Sequence, residues 1–166
     1  MKKFYTAKMY FNSNFIKIYA TERGLSFIST KDEKDELSQF FQEEVNVEED
    51  EAYLTTYLRE LRQYFNGTRE AFDLRLDMDY SYTKFQQQVW AELLNIPYGE
   101  TRTYSEIAES IGKPSAVRAV STAIAKNPLL VIIPCHRVIG ADGQLRGYRG
   151  GNEMKKRLLS FESAKK

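Results

Sequence analysis

Two capping boxes, one at Thr83 and one at Thr103, constrain this chain more than any other feature of its sequence. Thr83 precedes Gln86 by three residues and Thr103 precedes Glu106 likewise, the spacing at which a hydroxyl and a reaching side chain satisfy each other's backbone donors at a helix start. Behind the first box, Phe85, Val89, Trp90, Leu93 and Leu94 form one apolar face, and Pro97-Tyr98-Gly99 stops the helix. Behind the second, Ile107, Ala108 and Ile111 give the buried stripe, and Gly112 ends it where a left-handed residue is wanted. Lys113-Pro114-Ser115 then turns the chain, Ser115 is placed to cap a helix over 116–126, and Asn127-Pro128 breaks that helix. The pattern predicts helix, tight turn, helix. Arg118 in the first turn, on a helix otherwise rich in small side chains, suits close approach to a duplex, although small residues serve tight helix packing equally well.

The first half has a different period. Phe4 to Phe11 and Phe15 to Ala20 alternate apolar and polar residues around Asn12-Ser13-Asn14, which reads as a hairpin. Glu22-Arg23-Gly24 turns into a further strand, Leu25 to Ser29. Residues 31–36 and 42–51 are almost wholly polar and read as solvated loops or short helix faces. Tyr53, Leu54, Tyr57, Leu58, Leu61, Tyr64 and Phe65 recur at helical spacing up to Asn66-Gly67, an aromatic stripe that reads as core. Phe72, Leu74 and Leu76 alternate with charged residues and suggest a last strand before a linker around residues 77–82. The expected architecture is an α/β N-terminal domain over 1–79, a small β-sheet plus helix. A mainly α domain over 80–166 follows, with a helix-turn-helix and a short strand carrying the cysteine.

At 166 residues the chain buries enough surface to fold without staples. One Cys and one His cannot make an intramolecular disulfide or a structural zinc set, so a metal site is not expected. No stretch approaches the 18 apolar residues of a membrane span, and the start of the chain lacks an apolar signal core, which implies a cytoplasmic protein. The formal charge of +1 hides a split: residues 1–80 carry 11 basic and 16 acidic side chains, and residues 81–166 carry 13 and 7. The second half is the one suited to a polyanion.

After Asn127-Pro128, Leu129 to Ile133 is an apolar run that reads as a buried strand, ending at Pro134-Cys135-His136-Arg137-Val138. A lone Cys beside an apolar strand is usually a small hydrophobe. His136 and Arg137 argue for chemistry, because a base or positive charge raises the thiolate fraction. Adjacent residues on an extended chain point to opposite sides, so His136 reaches the sulfur only if the backbone turns or a water bridges them. A third group would orient the imidazole, and Glu162, Glu153 and Asp142 are all candidates.

The string Ile133-Pro134-Cys135-His136-Arg137-Val138 resembles the active-site signature of the O6-alkylguanine-DNA alkyltransferases, the methylated-DNA-protein-cysteine methyltransferases. The likeness runs from Phe85-Gln86 and Val89-Trp90 through Gly99-Glu100-Thr101, Arg118-Ala119-Val120 and Gly147-Tyr148 to Leu158-Leu159 and Glu162. It implies direct reversal of O6-alkylguanine damage in double-stranded DNA by irreversible transfer of the alkyl group to Cys135, after the base has left the stack, with no cofactor. By the same resemblance His136 activates the thiol through a water, Glu162 holds His136, and Tyr104 donates to the leaving base. Arg118 would intercalate while Ser115, Ala119, Thr122 and Ala123 meet the minor groove, and Asn127 would tie this motif to the cysteine segment. Val138 would offer backbone groups to guanine, Tyr148 would form a wall, and Arg149 replaces a serine found in some members, leaving its backbone amide to serve. The implied protein is a monomer with no obligate protein partner and no membrane. O4-alkylthymine stays open beside O6-alkylguanine. Two rival readings share these residues. A sensor of alkylated DNA would lack the cysteine that is present here, and a hydrolytic cysteine enzyme would need an oxyanion site that no sequence feature supplies.

Overall fold

The computed structural model describes residues 1–80, 82–145 and 147–164; residue 81 of the expected linker and residues 165–166 lie outside that description. The chain forms two compact units, Met1–Asp79 and Tyr80–Lys166.

In the first unit, β1 (Lys2–Phe11), β2 (Asn14–Thr21) and β3 (Gly24–Ser29) make an antiparallel meander. Asn12 and Ser13 join β1 to β2 with φ of 43° and 66°, the doubly left-handed turn whose twist matches the strands it links. α1 (Glu36–Phe41) leads to β4 (Val45–Glu49), which pairs parallel to β1, so the sheet order is β3-β2-β1-β4. β4 was legible only as a polar stretch, because four of its five residues are exposed on the sheet edge, where charge discourages further pairing. α2 (Thr55–Phe65) presents Leu58, Leu61 and Tyr64 to a core shared with Phe4, Ile16, Ile18, Leu25, Phe27 and Leu37. Phe72 to Leu76 does not form the expected strand. Leu25 and Leu76 make one isolated parallel bridge, and the Glu60 carboxylate takes the Asp73 amide that a ladder would have used. That bridge requires Gly24 (φ 151°), since a Cβ there would meet the Arg75 carbonyl at 2.7 Å.

In the second unit, α3 (Lys84–Leu93) and α4 (Tyr104–Ser110) each open on a capping box with both reciprocal bonds made. Val89, Trp90 and Leu93 are buried, whereas Leu94, expected on the same face, is 54% exposed past the helix end. α5 (Val117–Ala125) completes the helix-turn-helix after Gly112 (φ 76°). Ser115 does not cap it: Ala116 occupies the cap position, with no side-chain bond. The Trp90 indole donates to the Ala123 carbonyl at 2.9 Å and fastens α3 to α5.

Leu129 to Ile133 is buried but is not a strand. Its backbone turns on itself, Ile133 N–H donating to Leu129 O at 3.0 Å, with Val131 at φ 73°. Apolar content alone does not separate a buried strand from a buried turn. Cys135–Arg137 then form one 3₁₀ turn that leads into β6 (Val138–Ile139), paired parallel to β5 (Arg102–Thr103). α6 (Asn152–Ala164) turns Lys155, Leu158 and Glu162 inward, at the spacing of one helix face.

Candidate active site

Cys135 and His136 lie on a 3₁₀ turn and not on an extended strand. With about three residues per turn, consecutive side chains diverge by about a third of a circle instead of alternating across a strand. Cys135 is buried, and its sulfur accepts a hydrogen bond from Asn127 Nδ2 at 3.1 Å. The same carboxamide donates to the Ile133 carbonyl at 2.9 Å and accepts from Leu129 N–H at 2.9 Å. Asn127 therefore ties the two ends of the Leu129–Ile133 turn and fixes the thiol with one side chain.

His136 is fully buried. Its Nε2 lies 2.7 Å from Glu162 Oε2, while Arg137 Nε and Nη2 bind the two oxygens of that carboxylate at 2.8 and 3.0 Å. Arg137 Nη1 also donates to Ile96 O at 2.9 Å. With its negative charge matched by the guanidinium, Glu162 acts on the imidazole as a hydrogen-bond acceptor, so Nε2 carries the proton and Nδ1 keeps its lone pair. Nδ1 is buried and has no hydrogen-bond partner among the described residues. Burial pushes the imidazole below its ordinary pKa, against the opposing pull of Glu162, which keeps it neutral. Glu153 and Asp142, the alternatives for the third group, are both exposed.

Burial pushes the Cys135 thiol up; the Asn127 N–H and the charges of Arg149 and Lys155 oppose that push. Tyr148 is buried, its hydroxyl has no partner among the described residues, and burial holds its phenol well above the usual range. Tyr104 is buried at the start of α4, with its hydroxyl 3.8 Å from where a Cβ on Gly147 would lie. Val138 is buried in β6. The Arg149 side chain folds onto the carbonyls of Asn127 and Pro128.

Two residues beyond the expected set belong here. Sequence reading treated Arg137 only as a nearby charge, whereas it grips Glu162 from 25 residues away in sequence. Lys155 was not singled out at all. It is 1% exposed, its Nζ lies 5.9 Å from the Tyr104 ring centre, and burial pushes its pKa down. The signal was a lysine on the apolar face of α6, three residues before Leu158 and seven before Glu162. Arg118, Ala119 and Thr122 are exposed on α5, as is Ser115 on the turn before it. Ala123, expected among them, is instead buried, because it lies on the flank of α5 next to the buried Val120 and Ile124, and its carbonyl accepts the Trp90 indole N–H. Among the described residues there is no group of three or more His, Cys, Asp or Glu able to hold a metal, and no helix long and apolar enough to cross a membrane.

Residues 84–164 match the family described as 6-O-methylguanine DNA methyltransferase, DNA binding domain, and residues 9–78 match its ribonuclease-like domain. A thiol set beside a helix-turn-helix in a unit of that description defines a DNA methyltransferase that uses cysteine. The inducible methylated-DNA–protein-cysteine methyltransferase of Bacillus subtilis (strain 168) is 43% identical over 164 residues, covering 96% of this chain and 89% of that one. The corresponding Methanosarcina barkeri (strain Fusaro / DSM 804) protein is 53% identical over 114 residues, 69% of this chain and 71% of its own. The crystal structure of Mycobacterium tuberculosis O6-methylguanine methyltransferase superposes with a TM-score of 0.83 at 37% identity, covering 100% of this chain and 95% of that one. Mycobacterium tuberculosis OGT in complex with DNA gives 0.78 at 35% identity, over 97% and 94%. This chain belongs to the methylated-DNA–protein-cysteine methyltransferase family.

Proposed function

We propose that this chain repairs double-stranded DNA by taking the alkyl group of O6-alkylguanine onto Cys135, once per molecule, and that it does so as a monomer with no cofactor. The observation that carries this reading is the buried sulfur held by Asn127 at 3.1 Å, next in sequence to a neutral imidazole anchored on Glu162 at 2.7 Å. In the reaction the sulfur attacks the alkyl carbon in line, a C–S bond forms and the C–O6 bond breaks. The electron pair leaves with the guanine. The thiol proton passes towards His136 Nδ1 through a bridging water, and Tyr104 donates a hydrogen bond or proton to the departing base, with Lys155 beside its ring supplying positive charge. The product is a thioether, which water does not cleave at neutral pH, so the protein is consumed.

Residues 80–166 supply the DNA-binding part. α5 would lie in the minor groove with Ser115, Ala119 and Thr122 against the backbone and Arg118 filling the space left by the extruded base, whose unstacking is easier at a damaged pair. Val138 would present backbone groups to the guanine edge, and Tyr148 would wall the base in. Mixing the protein with excess duplex carrying O6-methylguanine and measuring its intact mass tests the reading. One added methylene on Cys135, and none in Cys135→Ser despite retained duplex binding, is the expected result. Many repaired bases per protein molecule, or transfer by the serine variant, would refute it.

A further inference from the structure

The segment between β6 and α6 carries an arginine whose side chain the reaction above does not use. Gly147 (φ 71°) and Gly151 (φ 94°) stand at the ends of Gly147-Tyr148-Arg149-Gly150-Gly151. With three glycines in five residues, such a loop keeps one shape only where side chains tie it down. Arg149 is such a tie. Its Nε and Nη2 donate to the Asn127 carbonyl at 3.1 and 3.0 Å, and Nη2 reaches the Pro128 carbonyl at 3.0 Å. Asn127 is the residue whose Nδ2 donates to the Cys135 sulfur. Its main chain is therefore gripped by the loop while its side chain grips the nucleophile.

We propose that Arg149 is a positioning residue for alkyl transfer: its guanidinium staples the Gly147–Gly151 loop to the Asn127–Pro128 segment and thereby keeps the Asn127 amide on the sulfur. The inference rests on the proposed reaction of Cys135. The planar fork matters, because a lysine ammonium carries the charge but cannot span two carbonyls in a fixed plane. The charge matters too. Among the described residues, the groups acting on the sulfur besides Arg149 include the Asn127 amide, Lys155 from α6 and a backbone hydrogen bond at Cys135, with the Tyr148 phenol close enough to feel the thiol's charge and the neutral His136 and its Glu162 partner next along the turn. Among the described residues, Arg149 and Lys155 are cations that counter the upward push of burial on the thiol.

The test compares the unaltered chain with Arg149→Gln and Arg149→Lys in two measurements. The first is the pH dependence of Cys135 alkylation by iodoacetamide, read by intact mass; the chain has one cysteine, so the added mass reports this sulfur alone. The second is the single-turnover rate of methyl transfer from an O6-methylguanine duplex. Arg149→Gln is expected to move the alkylation inflection to higher pH and to slow transfer by about tenfold or more, whereas Arg149→Lys keeps the inflection yet still slows transfer by about threefold or more. A glutamine variant that is folded by circular dichroism, with the inflection unmoved and transfer within about twofold of the unaltered chain, overturns the proposal. If the glutamine variant does not fold, the lysine variant decides, and transfer at the unaltered rate overturns the staple. If the unaltered chain takes up iodoacetamide but no methyl group from DNA, the proposed function falls while the labelling comparison still judges Arg149.

Discussion

Glu162 serves two partners at once, and the division of labour between them sets the chemistry of the imidazole. Arg137 matches the carboxylate charge through two bonds, so His136 is left to donate one hydrogen bond and remain a neutral base. Glu162→Gln removes that arrangement. Transfer is expected to fall on the order of a hundredfold in single-turnover assays, the scale of a lost general base. Urea unfolding should show a loss of about 3–5 kcal/mol, because Arg137 is left as a buried charge without its counter-ion. His136 also ties stability to pH. Its pKa is lower in the folded chain than in the unfolded one, so the folded state binds fewer protons there. The contribution is complete above the unfolded value of about 6.5 and is lost as pH falls through the folded value. The urea midpoint should therefore decline below about pH 6.5, before ordinary carboxylates titrate, and His136→Asn should flatten that limb.

Among the elements, those whose ends are written in local side chains were legible. Both capping boxes, the Asn12-Ser13 hairpin and the glycine that ends α4 are decided within a few residues, and the structure forms all of them. The elements that sequence misjudged depend on side chains outside the segment itself. Leu129–Ile133 is a turn because Asn127 takes its backbone groups, and Phe72–Leu76 stays irregular because Glu60 takes the Asp73 amide. The same division holds in the site: Cys135 and His136 stand out by adjacency, whereas Arg137 and Lys155 acquire their roles only when α6 packs inward. The junction of α3 with α5 is a further long-range device. Trp90→Phe removes the indole bond and leaves the Ala123 carbonyl to the Lys126 N–H at 3.2 Å, and is expected to cost about 0.5–1.5 kcal/mol in denaturant unfolding. A loss below about 0.3 kcal/mol would mean that the indole bond does not fasten the helices.

Across the whole molecule the charge is divided, net −5 before residue 81 and net +6 from there on. Duplex affinity should then fall linearly in logarithmic coordinates with added salt, and Arg118→Ala should reduce the slope by about one if that side chain meets a phosphate, or weaken binding with the slope unchanged if it intercalates. An affinity indifferent to salt would remove DNA from the account of the basic half. The pairing of His136 with Glu162 also bears on how the protein is made. A ribosome delivers the sulfur before α6, and the carboxylate that anchors the imidazole follows 26 residues after His136. A message broken between those codons yields a polypeptide that has its nucleophile but lacks the anchor, so messages cut short there supply thiol without repair capacity.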